Sequence, residues 1–461
     1  MMNKQWTIYN THTGQKIRNY QYVEEVSVFQ SIEKLYSGFI QWRQLPPKMR
    51  QQKMLKAVLI AEKDQAHLAS VISLEMGKSL DSAQAEVKKC IETSKYLCSL
   101  DLHFLEPYVV KNGTYDQSVV SYESLGVILS ILPWNFPAWQ GFRAFFPNML
   151  AGNAILLKHS EVTPTVGDLL QSYFEQAGLG DVFIHKLFNH DMTEKIIADH
   201  RIGGVSITGS VKAGEGIGGL CSKYFKKCVL ELGGSDPSII LKDADLEKTC
   251  KTISRSRLQN AGQVCISAKR ALVPKDHLKE VIELFKKSFT EFLELKPALV
   301  GPLADARFKV DYNEIVTELK KYSEVVYEKD MNSLNINDQQ AFVNPCILVF
   351  DGNHEILKST EVFGPCLIVI PYSDLAEAVQ IANSTVFGLG ASVYGKDEEL
   401  CQKVATQIQA GQVTINDFVK SDIALPFGGY KMSGMGRESG REGFFEFTQT
   451  RVISVKKQYV E

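Results

Sequence analysis

Residues 126–137 read Gly-Val-Ile-Leu-Ser-Ile-Leu-Pro-Trp-Asn-Phe-Pro, a short apolar run that ends in a loop bracketed by Pro133 and Pro137. A continuous apolar run of this kind is typical of a parallel strand buried on both faces. Similar apolar runs recur downstream, at residues 154–157, 205–208 and 228–230. Helical patterns such as residues 163–176 separate them. Alternating strands and helices predict a doubly wound, Rossmann-like α/β sheet.

The same alternation starts afresh after Gly234, which predicts a second α/β domain. Apolar runs and helical patterns alternate there, with strands expected at residues 238–241 and 269–273 and helices at residues 245–259 and 277–295. Upstream of the first sheet, a strand pair is expected around residues 7–17. Two long helical patterns follow it, at residues 23–45 and 48–98.

Residues 108–122 alternate like a β-hairpin around an Asn112-Gly113 turn, and residues 452–455 have the composition of a strand. An Asn-Gly pair between two alternating stretches is a strong hairpin signal. These segments fit either an arm that pairs with another subunit or an ordinary edge strand.

Composition excludes several classes of protein. The chain has 461 residues, enough for two or three domains, with 51 Lys and Arg against 53 Asp and Glu. Its pI of about 6.5 argues against a nucleic-acid binder. Its apolar runs are too short to span a bilayer, and residues 1–6 lack the apolar core of a secretory signal. We expect a cytoplasmic protein without a membrane or nucleic-acid partner.

The cysteine and histidine patterns support neither disulfides nor a metal. The nine cysteines are odd in number and include no Cys-x-x-Cys pair, and the nine histidines form no His-x-x-x-His cluster. These patterns argue against a disulfide framework and against a zinc site. No metal is expected.

Cys265 is the candidate nucleophile, in the segment Asn-Ala-Gly-Gln-Val-Cys at residues 260–265. It follows a predicted helix, in a loop rich in small and amide residues. A single cysteine is more often a small buried apolar residue than a reactive thiol, because a reactive thiol needs special surroundings. The other segments described below favour a role for Cys265.

Glu231 ends the apolar run that precedes Gly233 and Gly234. Glu is rarely buried without a partner. Either it caps the following turn or pairs with a Lys, or it is a carboxylate whose pKa burial raises for a role in a site.

Asn135 lies between two prolines, which stiffen the loop and set the direction of the amide. An amide held in this way can donate to a developing oxyanion. A rigid turn in which the Asn bonds its own backbone fits equally well.

Lys158 and Glu161 follow one predicted strand, and Gly209 and Ser210 follow another. Strand ends are the usual ligand sites of open α/β sheets, and backbone N–H groups at a helix start can hold a phosphate. Residues 214–219 match G-x-G-x-x-G, but they begin six residues after Thr208. A dinucleotide fingerprint needs its glycines immediately after the strand, so we expect these glycines to allow close helix packing.

Taken together, these segments resemble the aldehyde dehydrogenase superfamily. The matching segments occur in the family's order over nearly the whole chain, at residues 133–137, 158–161, 208–210, 231–234, 262–265, 361–365, 426–429 and 431–434. Each is modest support alone, whereas the ordered set is specific. The resemblance implies two doubly wound α/β domains plus a β-strand oligomerisation arm. It places the cofactor-binding domain at 1–106 and 126–232, the catalytic domain at 233–440 and the arm at 107–125 and 441–461.

The resemblance also implies residue roles. Cys265 would be the nucleophile, Glu231 the general base and Asn135 an oxyanion donor. The implied cofactor residues are Trp134, Lys158, Glu161, Gly209, Ser210, Leu232, Glu361 and Phe363. The cofactor would be NAD, with NADP possible, because a 2′-phosphate would meet the like charge of Glu161. A homodimer or homotetramer is implied.

Within the family the chain resembles the succinate-semialdehyde dehydrogenases, which oxidise that aldehyde to succinate. Arg143 matches their carboxylate-binding Arg, and an Arg fork suits a carboxylate; an Arg on a solvated helix face is the alternative. Gln259 stands where other members have a second Arg, so Arg143, Gln259 and Ser421 would share the substrate carboxylate. The alternatives are broader aldehyde specificity, an inactive binding protein of this fold, a thioester-forming hydrolase and a CoA-acylating enzyme.

Overall fold

The structure is a computed structural model, which describes residues 5–111, 113–295 and 300–456. The strands in chain order are β1 (Gln5–Tyr9), β2 (Lys16–Gln21), β3 (Tyr108–Val110), β4 (Gln117–Ser124), β5 (Val127–Ile131), β6 (Ala154–Lys158), β7 (Phe183–His185), β8 (Ile202–Thr208), β9 (Lys227–Glu231), β10 (Pro237–Ile240), β11 (Arg270–Pro274), β12 (Glu324–Glu328), β13 (Cys346–Val349), β14 (Cys366–Tyr372), β15 (Gly390–Tyr394), β16 (Gln412–Ile415), β17 (Gly434–Met435) and β18 (Thr448–Val455).

The helices in chain order are α1 (Glu25–Trp42), α2 (Pro47–Lys63), α3 (Gln65–Met76), α4 (Leu80–Ser99), α5 (Trp139–Leu150), α6 (Pro164–Gln176), α7 (Thr193–Ala198), α8 (Val211–Lys223), α9 (Leu246–Leu258), α10 (Leu278–Leu293), α11 (Ala306–Lys320), α12 (Leu375–Asn383), α13 (Glu398–Ala405) and α14 (Gly440–Phe445). The helical pattern at residues 48–98 is divided among α2, α3 and α4. Gly77 ends α3 in the left-handed region at φ 81°, and Ser79 caps α4 by accepting from the Ser82 N–H.

The first sheet has the strand order β17-β9-β8-β5-β6-β7 and is parallel except for β17. The strand order reverses at β5, whose neighbours are β6 and β8. In an open α/β sheet, such a reversal opens a crevice at the carboxyl ends of the strands. The predicted doubly wound sheet is therefore confirmed, and its crevice lies at the ends of β5 and β8.

The second sheet has the order β12-β13-β14-β11-β10-β15-β16 and is parallel except for β12. Each of the two large sheets has its own apolar core. The first core extends from Val28 to Leu232 and also takes in Ile423, Phe444 and Phe447. The second extends from Ile239 to Ala410. The fold class predicted from the alternating pattern is confirmed.

A third, antiparallel sheet has the order β18-β4-β3. It contains the predicted hairpin and the predicted last strand, and apolar side chains of its two outer strands are exposed. Those side chains are Tyr108, Val109, Val110, Val452, Ile453 and Val455. Asn112 of the predicted turn and residues 457–461 lie outside the described residues.

Candidate active site

A cavity of about 300 Å³ lies where the two large sheets meet. The first sheet contributes the loops that follow the carboxyl ends of β5, β8 and β9, and the second contributes the loops that lead into β10, β11 and β14. Because neighbouring parallel strands begin and end at common edges, segments far apart in sequence converge here. The residues lining the cavity are Pro133, Trp134, Asn135, Gln140, Thr208, Gly209, Ser210, Leu232, Gly233, Cys265, Phe308, Asp311, Tyr312, Ile315, Glu361 and Phe363.

The loop that carries Cys265 is held in an uncommon backbone conformation. Asn260, Ala261 and Gly262 follow one another at φ 55°, 53° and 74°. A Cβ on Gly262 would lie 2.3 Å from the Gly364 backbone, and Arg257 Nη2 donates to the Gly262 carbonyl. Non-glycine residues rarely adopt such angles unless the surrounding structure holds them there. The loop therefore presents Cys265 in a fixed direction.

Burial and two nearby cations shift the pKa of the Cys265 thiol in opposite directions. Burial raises the pKa of the Cys265 thiol to about 11, whereas Arg143 and Lys269 lower it. Lys269 Nζ donates to the Cys265 carbonyl at 2.5 Å and lies 3.3 Å from Glu361 Oε1. The thiol is thus predominantly protonated in this structure, with two cations placed to stabilise the thiolate.

Asn135 is buried at the cavity wall with its amide fixed from both ends. Its Nδ2 donates to the Gln263 carbonyl at 3.0 Å, and its Oδ1 accepts from Gln140 Nε2 at 2.8 Å. Lys78 Nζ and Asn260 Nδ2 both donate to the Asn135 carbonyl, at 2.8 and 3.0 Å. The Asn135 side chain therefore does not merely bond its own backbone. One amide N–H bonds Gln263, and the second is available to another acceptor.

Glu231, at the end of β9, is 1% exposed, and both carboxylate oxygens are buried without a hydrogen-bond partner within the described chain. It therefore neither caps a turn nor pairs with a lysine. Burial raises the pKa of the Glu231 carboxyl well above its ordinary value, the neighbouring Glu438 raises it further, and Arg143 opposes the shift. A carboxyl group whose pKa is raised in this way can take part in proton transfer near neutral pH.

Most of the implied cofactor residues line this one cavity. Trp134 stacks on Phe308 with ring centroids 4.4 Å apart and meets Phe363 edge-on at 5.7 Å. Gly209 and Ser210 follow β8, and Ser210 Oγ caps α8 by accepting from the Ala213 N–H. Glu361 Oε1 accepts from the Gly234 N–H at 3.0 Å. Leu232 completes this part of the wall.

Lys158 and Glu161 lie outside this cavity, where β6 ends. Glu161 lines a neighbouring cavity of about 370 Å³, together with Trp6, Tyr22 and Arg307. The Tyr22 hydroxyl donates to Glu161 Oε1, and Trp6 Nε1 donates to the Glu161 carbonyl at 2.9 Å. Lys158 is buried, and burial lowers the pKa of its ammonium while Glu161 raises it. The N-terminal strand pair thus orients Glu161.

Arg143 is buried rather than solvated, since it is 2% exposed. Its Nε donates to Glu438 Oε2 at 2.6 Å, and its guanidinium lies 4.0 Å over the Phe427 ring. Its Nη2 is buried and has no hydrogen-bond partner in the described structure. The terminal nitrogens are therefore available to a ligand.

Gln259 and Ser421 are not joined to each other by a hydrogen bond within the described residues. Gln259 is half-buried where α9 ends, and none of its hydrogen bonds within the described residues joins it to Arg143 or Ser421. Ser421 is half-buried, and its Oγ is a buried atom without a described partner. Their roles at the substrate stay predictions.

Sequence reasoning gave no role to several residues that bond or orient the site residues: Lys78, Gln140, Lys269 and Glu438. Lys269 follows Cys265 by four residues, and Gln140 follows Asn135 by five. Such spacings alone do not reveal that the side chains return to the site. Glu438 lies about 300 residues from Arg143 along the chain, so only the folded arrangement reveals that pair.

The G-x-G-x-x-G segment lies within α8, as expected. A Cβ on Gly214 would lie 2.4 Å from Leu232, and one on Gly218 would lie 3.3 Å from Leu230. Gly216 and Gly219 have nothing within 4 Å of such a Cβ. Close packing therefore accounts for Gly214 and Gly218 but not for the other two.

The described residues also bear on metal binding and on membrane insertion. Among residues 5–111, 113–295 and 300–456, no group of three or more His, Cys, Asp or Glu side chains is arranged to hold a metal ion. In the same ranges, no helix has both the length and the apolarity needed to cross a membrane.

The chain is similar to known proteins over its whole length. A family model described as "Aldehyde dehydrogenase family" matches residues 2–453. The NADP(+) succinate-semialdehyde dehydrogenase of Deinococcus radiodurans is 35% identical over 450 residues, covering 96% of this chain and 93% of that protein.

Solved structures of aldehyde dehydrogenases are also similar to this chain, in both sequence and fold. The crystal structure of succinic semialdehyde dehydrogenase from Streptococcus pyogenes with NADP+ is 30% identical and has a TM-score of 0.91, covering 98% of this chain and 100% of that one. A mutant of aldehyde dehydrogenase C from Pseudomonas syringae with NAD+ and octanal is 29% identical and has a TM-score of 0.89, covering 98% of this chain and 93% of that one.

Proposed function

The chain belongs to the aldehyde dehydrogenase family, and from that membership we propose that it oxidises succinate semialdehyde to succinate through a thioester on Cys265. It is an NAD(P)-dependent oxidoreductase that acts on an aldehyde. One observation carries the proposal: a thiol and a fixed amide, far apart in sequence, line one cavity, and the charges of a buried carboxyl group and of a buried arginine act on that thiol.

The residues present fit a nicotinamide dinucleotide. The first turn of α8 follows Gly209 and Ser210, and a helix start offers unpaired backbone N–H groups to a phosphate. Gly233 lines the cavity, and a Cβ there would lie 2.1 Å from Glu361 Oε2, so a side chain at this position would displace the Glu361 carboxylate. Trp134, Leu232 and Phe363 would hold the ring, and Glu361 its ribose. When bound, the cofactor supplies the hydride acceptor.

The first half of the reaction belongs to Cys265 and Asn135. The Cys265 thiolate attacks the aldehyde carbon, and the second N–H of Asn135 Nδ2 and the Cys265 backbone N–H donate to the oxyanion. Each such donor is worth about 3 kcal/mol of barrier. Because Arg143 and Lys269 lower the pKa of the thiol, they favour the attacking form.

The second half belongs to Glu231. After loss of hydride, Cys265 carries an acyl group as a thioester, which water must hydrolyse. Glu231 takes a proton from that water as general base, the resulting hydroxide attacks the acyl carbon, and the C–S bond breaks, which releases the acid and returns the Cys265 thiolate. Its unpartnered oxygens are free to bond water, and Arg143 nearby favours the carboxylate form against the effect of burial.

Arg143 is the proposed anchor of the substrate carboxylate. Glu438 occupies its Nε edge, which leaves the two terminal nitrogens for a second carboxylate. An arginine fork binds both oxygens of such a group. Gln259 and Ser421 are proposed to complete this end of the site.

Glu161 supports NAD over NADP. If its free oxygen accepts from the adenosine ribose, a 2′-phosphate would meet a like charge. Arg307, which lines the same cavity, is paired with Asp305 at 2.8 Å, and its charge also interacts with that of Glu161. The relatives from Deinococcus and Streptococcus carry NADP in their names, so the preference needs measurement.

The experiment is a panel of aldehydes with NAD and NADP, followed by absorbance at 340 nm. We expect kcat/KM for succinate semialdehyde to exceed that for butanal by about tenfold or more, because one charge-assisted contact is worth that much. NAD should exceed NADP by about tenfold. Equal values for the two aldehydes would instead support a broad-specificity enzyme, and a better kcat/KM with NADP would refute the role given to Glu161.

We also propose the assembly, the domain limits and the compartment. The sheet β18-β4-β3 is proposed as an arm, comprising 107–125 and 441–461, that pairs with another subunit to build a homodimer or homotetramer. The cofactor-binding domain is proposed at 1–106 and 126–232 and the catalytic domain at 233–440. All nine cysteines are free thiols, which suits the reducing cytoplasm.

A further inference from the structure

A second cation lies close to Arg143, on a helix that the sequence did not connect with the substrate. Lys89, on α4, lies with its Nζ 3.8 Å from the centroid of the Trp139 ring. Trp139 and Arg143 are one turn apart on α5, so both cations are on the same side of that helix. Lys89 Nζ also donates to the Ser421 carbonyl at 2.6 Å.

Arg143 is held on the side away from its free nitrogens. Phe427 and Glu438 are joined by two backbone hydrogen bonds of 2.7 and 2.8 Å. This bridge fixes both the ring that lies against the guanidinium and the carboxylate that accepts from Nε. Ser206 Oγ donates to the other Glu438 oxygen at 3.2 Å. The guanidinium is therefore oriented before any ligand arrives.

Lys89 lacks a carboxylate of its own. Within the described residues, no acidic oxygen lies at ion-pair distance from its Nζ. Glu86, one turn earlier on α4, is already bonded by Lys78 at 2.7 Å and by the N–H groups of Ala138 and Trp139. Asp422 is exposed and acts on Lys89 only at longer range.

Two partly desolvated like charges repel each other, and an anion between them relieves the repulsion. Burial lowers the pKa of the Lys89 ammonium, and the charge of Arg143 lowers it further. Ser421 adds a buried hydroxyl without a described partner beside the carbonyl that Lys89 bonds. Phe427 belongs to the small apolar cluster that contacts Cys265, which connects this group of donors to the nucleophile.

We propose that Lys89 is a specificity-determining residue, and that it binds the substrate carboxylate together with the terminal nitrogens of Arg143 and the hydroxyl of Ser421. Because Gln259 is uncharged, Lys89 supplies the second positive charge at the substrate carboxylate. The inference rests on the proposed function and adds a residue to its substrate site. The substrate class that this site prefers is aldehydes with a carboxylate at the far end of a short chain.

The test compares Lys89→Met with Lys88→Met. Methionine keeps an unbranched apolar stem on Trp139 but removes the charge. Lys88 is the neighbouring lysine on α4, 71% exposed and 3.7 Å from Glu92, so it is a matched control for charge on this helix. Lys89→Arg restores the cation.

Two measurements are made on each variant. The first is the ratio of kcat/KM for succinate semialdehyde to that for butanal. The second is the inhibition constant of succinate against butanal oxidation, which measures the anion site without the semialdehyde. Lys89→Met should lower the ratio about ten- to a hundredfold, mainly through KM, and weaken succinate inhibition similarly. Lys88→Met should match wild type, and Lys89→Arg should recover most of the loss.

The outcomes separate the two proposals. If wild type oxidises succinate semialdehyde no better than butanal, the proposed substrate is wrong, whereas loss of succinate inhibition in Lys89→Met would still support the anion site. If Lys89→Met affects both aldehydes equally and leaves succinate inhibition unchanged, Lys89 only anchors the segment around Ser421, and the inference is overturned.

Discussion

At the residue scale, the proposed chemistry depends on one buried carboxyl group, that of Glu231. Glu231 has no hydrogen-bond partner for either oxygen within the described chain, and burial raises the pKa of its carboxyl. Arg143 is the nearby cation that can favour the ionised form. The proposed role of Glu231 as a base therefore depends on Arg143 and Arg437, whose charges lower its pKa, and Glu438 already occupies one edge of the Arg143 guanidinium.

Replacing Glu231 with Gln should separate the two halves of the reaction. The amide keeps the shape of the side chain but cannot take a proton from water. We expect a burst of about one reduced cofactor per active site, followed by turnover slower by about 10²-fold or more. Stopped-flow absorbance at 340 nm measures both phases. A variant that turns over steadily at the wild-type rate would exclude Glu231 as the base.

The melting temperature of Glu231→Gln, measured as a function of pH and compared with that of wild type, is the control that this variant folds. Below pH 4.5, the ordinary pKa of this carboxyl group, Glu231 is protonated in both the folded and the unfolded protein and does not change the free energy of unfolding. As pH rises above 4.5, the unfolded chain ionises while the folded chain keeps its proton, so wild-type stability falls. Glu231→Gln should therefore melt at or above the wild-type temperature at pH 8, and the difference should disappear near pH 4.

At the scale of elements, strand ends and loop starts build the site. The carboxyl ends of β5, β8 and β9 and the starts of β10, β11 and β14 meet at one cavity. The Cys265 loop adds three successive left-handed residues, which would be strained without Gly364 and Arg257 packed against them. Helix α8, by contrast, contributes its start to the site and two of its glycines, Gly214 and Gly218, to packing.

Substitutions of the α8 glycines test whether these residues serve helix packing or bind the cofactor phosphates. Gly216→Ala should raise the melting temperature by about 1–3 °C, because a Cβ there meets nothing and alanine restricts the unfolded chain. Its KM for NAD should stay within about twofold of wild type, since a helix-interior glycine does not touch the pyrophosphate.

Gly214→Ala is the matched contrast. Its Cβ would lie 2.4 Å from Leu232, which lines the cavity, so we expect destabilisation of about 1–3 kcal/mol and a higher KM for NAD. Differential scanning fluorimetry and steady-state kinetics measure both variants. A large rise in KM for Gly216→Ala would mean that these glycines do form a phosphate loop.

At the scale of the whole molecule, the β18-β4-β3 sheet leaves apolar side chains on both outer strands exposed. Val452 and Ile453 are 59% and 51% exposed. An exposed apolar edge of this kind promotes pairing with another chain unless something covers it. This is the physical support for the proposed arm.

The double variant Val452→Asp, Ile453→Lys should therefore shift the protein from an oligomer to the 51.6 kDa monomer. Size-exclusion chromatography with light scattering measures the mass. Val26→Asp, at a position 65% exposed on α1, is the control and should keep the wild-type mass. An unchanged mass in the double variant would contradict the arm.

The sequence alone determined the α/β architecture and led to the proposal that Cys265 is the nucleophile, because both rest on local sequence patterns. Buried parallel strands appear as apolar runs, and the segments around Asn135, Glu231 and Cys265 are distinctive in their order and composition. Helix boundaries within residues 48–98 were not predicted, since Gly77 and Ser79 act only as local breaks in a long helical pattern.

Only the tertiary structure decided which charges act together. Arg143 was expected to bind the substrate carboxylate; the structure shows that Glu438 holds one edge of it and that the charge of Lys89, about 50 residues earlier in the chain, interacts with it. Tyr22 bonds Glu161 from the far N-terminal strand pair. Such partners are chosen by three-dimensional proximity at a buried site, where an electrostatic interaction is strong and where spacing along the chain carries no information about distance.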